Sequence, residues 1–205
     1  MIDPISWEFS YPYILAALGG GYLLGSIPFG YLLTRYAGLG DIRTVGSGNI
    51  GATNVLRTGK KQLAAATLIL DAGKGAAAVL IGAQYGPDIQ IVAALGALIG
   101  HFFPVWLRFQ GGKGVATSFG LLLSLTWPIA LCSLVTWIAI AAITRYSSLA
   151  ALIACAIAPP LAWYFATPQI AEFYVVMAVL IWSRHFSNIR RLIAGTESRI
   201  GGNRE

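Results

Sequence analysis

Four short polar islands hold 7 of the 14 Lys and Arg residues of this 205-residue chain, and three of the islands carry the residue types of a site for a phosphorylated ligand. The first runs from Asp41-Ile42-Arg43 through Gly46-Ser-Gly-Asn-Ile-Gly-Ala-Thr-Asn54, with Arg57 one turn further on if a helix begins near Ala52. Glycines such as Gly46 and Gly48 can take positive φ and let a ligand approach main-chain N–H groups. Successive N–H groups in such turns form anion-binding nests. Ser47, Asn49, Thr53 and Asn54 add side-chain donors, while Arg43 and Arg57 add charge. A flexible polar loop is the competing reading of the same turn residues.

The second island is Arg108-Phe-Gln-Gly-Gly-Lys-Gly114, and it should open a helix. Gly111, Gly112 and Gly114 can expose N–H groups at that helix N-terminus, where the dipole favours an anion, with Lys113 beside them. The spacing is not that of a Walker A loop. The alternative is a tight, positively charged turn. The third island, Arg184-His185-Phe-Ser-Asn188-Ile-Arg190-Arg191, places His185 and Asn188 three residues apart, hence on one helical face. His185 is a candidate general base, because an imidazole of ordinary pKa titrates near neutrality. The fourth island is Arg145 alone.

The elements between the islands must be membrane helices. The chain is 57% hydrophobic and 11% charged, with a mean hydropathy of +0.70, whereas a soluble domain carries about 25% charged residues. About 20 apolar residues of helix cross a hydrocarbon core. Candidate spans are 12–35, 63–85, 89–107, 115–126, 128–144, 147–166 and 171–191, the fourth of them short. We therefore expect an all-α polytopic membrane protein of seven transmembrane helices, one domain over 1–205; five spans is the rival count. Gly21–Gly25, Gly82–Gly86 and Gly96–Gly100 have the small-xxx-small form that brings membrane helices close.

With those spans every Lys and Arg outside them falls on one side, and Asp3, Glu8, Asp88 and Glu172 on the other. The positive-inside rule then puts the N-terminus outside, the C-terminus in the cytoplasm and the islands on the cytoplasmic face. Asp3 and Glu8 stand where a cleavable leader would carry basic residues. The net charge of +6 suits anionic headgroups or phosphorylated substrates. Nucleic acid is a poor fit, because the cations alternate with spans. Cys132 and Cys155 lie in apolar spans and read as free thiols, and no Cys/His spacing resembles a metal site. Within the spans, His101 reads as structural or as a partner of the site. Asp71 and Lys74, three apart, should pair with each other or with an island.

A transporter would want polar residues through the midplane, yet apart from Asp71 and Lys74 the spans are apolar. A His-x4-Asp acyltransferase motif is absent, since Trp106 and Arg190 stand five residues after His101 and His185. A scaffold explains the spans and leaves the islands unexplained.

Taken together, three long motifs resemble the bacterial membrane acyl-phosphate:glycerol-3-phosphate acyltransferases, the PlsY family. They are Gly25-Ser-Ile-Pro-Phe-Gly30 with the first island; Gly100-His-Phe-Phe-Pro104 with Gly111-Gly-Lys-Gly-Val-Ala-Thr117; and His185 through Glu197. The resemblance covers nearly the whole chain. It implies seven spans in the bacterial inner membrane and transfer of an acyl group from acyl phosphate to glycerol 3-phosphate, giving lysophosphatidic acid. It further implies that Ser47, Arg57, Lys113, His185 and Asn188 line the site, that the glycine loops hold phosphate groups, and that Glu197 is more structural than chemical. No cofactor is called for, and a monomer is expected. An acyl phosphate is already activated, so the protein need only position two substrates and neutralise two phosphates. The base is then His185 or a substrate phosphate oxygen. Ser47 reads as a ligand to phosphate or hydroxyl, because no neighbouring base activates it as a nucleophile.

Overall fold

The computed structural model describes residues 7–201, and among these all regular structure is helical. Asp3 and Arg204, which enter the orientation argument, lie outside the described residues. The helices are α1 (Trp7–Gly25), α2 (Phe29–Tyr36), α3 (Ala52–Leu56), α4 (Lys61–Ala83), α5 (Pro87–Phe102), α6 (Val115–Leu125), α7 (Trp127–Thr144), α8 (Ser147–Ala156), α9 (Ala158–Phe165), α10 (Pro168–Arg184) and α11 (Phe186–Ile193).

Among the described residues, five stretches are long and apolar enough to cross a membrane: Tyr11–Tyr36, Lys61–Ala83, Pro87–Leu107, Trp127–Thr144 and Ser147–Phe165. They correspond to five of the spans expected from the sequence. Two of them are broken at proline, which disfavours helical geometry in the residue before it. Ser26-Ile27-Pro28 separates α1 from α2, and Pro159 and Pro160 open α9 after α8. The expected short span is α6, only 11 residues long.

The expected span 171–191 needs correction at its end, because the helix turns at His185. Arg184 ends α10, Arg190 and Arg191 lie in α11, and the two segments do not form one continuous helix. Instead α11 leaves the axis of α10, buries Asn188 and keeps Phe186 and Arg190 outside.

Without water to expel between helices, small residues make the seams. At Gly25 of α1 an added Cβ would lie 2.0 Å from Ala97 O, and at Gly100 of α5 it would lie 2.2 Å from Tyr22 O. The two small-xxx-small motifs are therefore halves of one α1–α5 contact. In the third such motif only Gly82 packs closely, against Gln90, while Gly86 caps α5 with φ of 115°. The main core joins α5, α6 and α10 through Leu98, Phe102, Leu121, Tyr174, Met177 and Ile181, all buried. It holds the starts of α6 and α11, and so the second and third islands, against each other.

Candidate active site

The serine loop is organised by one side chain. The amide of Asn54, 2% exposed, donates to the main-chain oxygens of Ile42, Val45 and Asn49 at 3.1, 2.9 and 2.8 Å. Its Oδ1 accepts from the main-chain N–H and the hydroxyl of Ser47 at 3.1 and 3.3 Å. Asn54 thus spends its groups on holding the loop. Gly46 takes φ of 56°, and a Cβ there would strike Arg57 Cδ at 2.7 Å, so the turn and the arginine are packed together. Gly48 is likewise left-handed, at 72°. Helix α3 starts at Ala52, as the sequence suggests, and it carries Arg57 back over the loop.

Arg43 is also committed elsewhere. Its guanidinium pairs with Asp41 at 2.6 Å and stacks over the Tyr31 ring at 5.3 Å. The hydrogen bonds from Arg43 hold the Asp41 carboxyl below the usual carboxylate range. Arg43 therefore closes the start of the loop. Ser47, Thr53 and Arg57 remain exposed, with Thr53 Oγ1 3.4 Å from Ser147 Oγ.

In the second island the N–H groups of Gly111 and Gly112 do not face outward. They donate to Phe102 O and His101 O at 3.1 and 3.0 Å. The two glycines are needed for close approach, since a Cβ on Gly112 would lie 2.2 Å from His101 Nε2. Their oxygens accept from Arg184 at 3.4 Å, and that guanidinium lies over the Phe103 ring at 5.2 Å. The amides without a partner inside their own helix are those of the first turn of α6, entered through Gly114 at φ of 80°. Lys113 stands beside that turn.

Lys113 Nζ donates to Asn188 Oδ1. The other end of Asn188 donates to Glu197 Oε1 at 2.6 Å, and the same oxygen accepts from Ser148 Oγ at 2.8 Å. Glu197 Oε2 accepts from Arg191 Nε at 2.7 Å, and the glutamate side chain is 5% exposed. The residues after Glu197 continue across the site. Ser198 Oγ accepts from Arg57 at 2.7 Å, Arg199 lies over Tyr146, and Ile200 donates its N–H to Arg145 O at 2.7 Å while its oxygen accepts from the Arg145 guanidinium. All four islands are therefore joined at one end of the helices by the C-terminal segment.

Electrostatics follow from this crowding. Burial, with Arg191, Arg184 and Arg57 nearby, pulls Lys113 down to about 8 against the upward pull of Glu197. Burial pushes Glu197 up, but hydrogen bonds from Asn188, Ser148 and Arg191 outweigh it and the carboxyl ends below its ordinary value. His185 follows the end of α10 and is 3% exposed; burial, with Lys113 and Arg184 nearby, drops it to about 4. Its Nδ1 is 2.8 Å from Ile181 O, which can only accept, so the proton sits on Nδ1 and Nε2 is an acceptor. Burial thus leaves His185 a weaker base than the ordinary imidazole considered from the sequence.

The structure thus unites Arg57, Lys113, His185 and Asn188, and it assigns Asn54, Arg43, Gly111 and Gly112 to holding the loops. Sequence reasoning did not place Arg184, Ser148 or Arg191 in the site. Arg184 and Arg191 are the two ends of the third island, whereas Ser148 carries no sequence signal of its role.

Residues 15–195 match a family model described as glycerol-3-phosphate acyltransferase. A glycerol-3-phosphate acyltransferase of Mesorhizobium japonicum is 60% identical over 188 residues, covering 92% of this chain and 96% of the relative. One from Sinorhizobium medicae is 54% identical over 200 residues, covering 98% of each. Two crystal forms of PlsY, an integral membrane glycerol 3-phosphate acyltransferase, have the same fold. The glycerol 3-phosphate form has a TM-score of 0.88 at 36% identity, covering 92% of this chain and 96% of the other. The lysophosphatidic acid form has a TM-score of 0.85 at 35% identity, covering 92% and 95%.

Proposed function

Because the chain belongs to the glycerol-3-phosphate acyltransferase family and so acylates glycerol 3-phosphate to lysophosphatidic acid, we propose that its donor is an acyl phosphate and that transfer is direct. The observation that carries this reading is the Lys113–Asn188–Glu197 chain, which fixes a cation beside the α6 N-terminus within electrostatic reach of Arg57, Arg184 and Arg191. Such a cluster neutralises phosphate groups and needs no cofactor. The N–H groups of α6 and Lys113 hold one phosphate. Ser47 and Arg57, beside the serine loop, hold the other.

The acceptor hydroxyl then attacks the acyl carbon, and the acyl–phosphate bond breaks with inorganic phosphate leaving. His185 Nε2 accepts a hydrogen bond from that hydroxyl and orients it. A group with its pKa near 4 is a weak base, so the departing phosphate oxygen takes the proton. Catalysis is then positioning and charge stabilisation. An apolar groove of about 350 Å³ between α9 and α10, lined by Pro159, Val175, Val179 and Trp182, ends one turn before His185 and suits an acyl chain.

Counting α6 and α10 with the five apolar stretches gives seven crossings, N-terminus outside, with the site on the cytoplasmic face of the bacterial inner membrane and the enzyme acting as a monomer. The seams of small residues and the one-sided cations support that arrangement. The donor is tested with purified enzyme and glycerol 3-phosphate: acyl phosphate should give lysophosphatidic acid and phosphate, and acyl-CoA should not. Turnover with acyl-CoA alone would overturn the donor.

A further inference from the structure

Beneath the two glycine loops lie three ionisable side chains that the chemistry above leaves unused. Asp71, Lys74 and His101 are each no more than 3% exposed. Lys74 Nζ is 2.8 Å from Asp71 Oδ1, donates to Ile27 O at 2.7 Å and lies 5.7 Å from the centre of the Phe29 ring. His101 Nδ1 faces the same carboxylate oxygen at 3.8 Å. Charges inside a membrane-spanning segment are costly, and a buried ion pair is often no more stabilising than apolar groups of the same size. Stability alone does not account for them.

Their contacts run to both loops. Ile27 sits in the break between α1 and α2. From there α2 supports the serine loop, so closely that a Cβ on Gly30 would lie 1.9 Å from Ile50 O. On the other side the His101 ring fills the space where Gly112 lacks a side chain, and His101 O accepts the Gly112 N–H at 3.0 Å. Lys113 is the next residue. One buried cluster therefore touches the support of the loop beside Ser47 and Arg57 and the support of the loop that carries Lys113.

We propose that Asp71, Lys74 and His101 are positioning residues that fix the serine loop and the glycine-lysine loop relative to each other, so that two separately bound substrates meet in reacting register. This rests on the acyl-transfer reading above. The serine loop is built largely from its own hydrogen bonds, as the Asn54 bracket shows, and the glycine-lysine loop is held by Phe102, Arg184 and Asn188 as well as by His101. Loosening the cluster therefore shifts one loop against the other and leaves each able to bind.

The test compares wild type with Lys74→Met, with the double variant Asp71→Asn/Lys74→Met, which strands neither charge, and with His101→Asn, which leaves the ion pair intact. Glycerol 3-phosphate binding is titrated calorimetrically and kcat is scaled to binding-competent molecules. The variants should bind glycerol 3-phosphate within about threefold of wild type while kcat falls about 10²-fold, the loss that a misplacement of roughly 1 Å produces. Competent molecules that turn over at the wild-type rate, however few, would reduce the cluster to a folding element and overturn the proposal. So would a loss of binding as large as the loss of kcat. A wild-type enzyme inert with acyl phosphate would instead overturn the reading on which the proposal rests, and the proposal with it.

Discussion

Lys113 donates a hydrogen bond to the side-chain carbonyl of Asn188, joining two islands 75 residues apart in sequence. Asn188 is gripped from its other end by Glu197, so the position of the lysine ammonium is set by a carboxylate in the C-terminal segment. Lys113→Ala should lose about 1.5–3 kcal/mol, the range for hydrogen bonds to charged groups, or roughly 10- to 100-fold in kcat/KM, with near-normal abundance in the membrane. Wild-type kinetics would reduce the loop to a topological signal. The protonated lysine is the phosphate-binding form and its pKa is about 8. Wild-type kcat/KM should therefore fall as pH rises through that value, and the same limb should be missing from Lys113→Ala.

A base of ordinary histidine pKa would impose an acidic limb near neutrality. His185 sits at about 4 and stays neutral through that range. His185→Gln should therefore lower kcat while leaving the acidic limb of log kcat/KM against pH where it lies in wild type, because that limb belongs to the substrate phosphates. An acidic limb near pH 6–7 in wild type that vanishes in His185→Gln would make the histidine the base.

Glu197 hydrogen-bonds to Asn188, Arg191 and Ser148, and acts on Lys113 through its charge. Glu197→Gln should destabilise the folded enzyme by about 1.5–3 kcal/mol, read as a lowered Tm in detergent, and should lower kcat by displacing Asn188. The folded pKa is depressed below the ordinary 4.5, so its contribution to stability is present above 4.5 and is lost as pH falls through the folded value. The Tm gap between wild type and variant should close over that acidic window. A gap independent of pH would place the effect in packing.

Much of this arrangement was legible in the sequence because composition and small-residue spacing act locally. Gly21–Gly25 and Gly96–Gly100 announced a close seam, and Gly114 announced a helix start. Asn54, Arg43 and the N–H groups of Gly111 and Gly112 have the chemistry of ligand donors, and only the fold shows that other parts of the protein consume it. The Arg57–Ser198 and Ser148–Glu197 bonds join residues 141 and 49 apart, with no periodicity to link them. The shift of His185 arises from burial, which no spacing of residue types reveals.

Placement of the site on one face can be checked by labelling. In a background lacking Cys132 and Cys155, Ser47→Cys, Gln110→Cys and Ser187→Cys should react only with reagents that reach the cytoplasm. Gln84→Cys and Pro168→Cys should react from outside. All five positions are exposed in the structure. Any two of the three island cysteines reacting from opposite faces would contradict a shared site.

Direct transfer is the claim on which the mechanism turns, and the partner of Ser47 bears on it. The Ser47 hydroxyl donates to the amide oxygen of Asn54, which cannot remove its proton, and a serine without an adjacent base is a weak nucleophile. The decisive measurement is rapid quenching of purified enzyme mixed with acyl-labelled acyl phosphate, with and without glycerol 3-phosphate. With acceptor, all released label should appear in lysophosphatidic acid in step with phosphate; without it, the denatured protein should carry none. A stoichiometric ester on Ser47, discharged by glycerol 3-phosphate at the rate of turnover, would contradict the account.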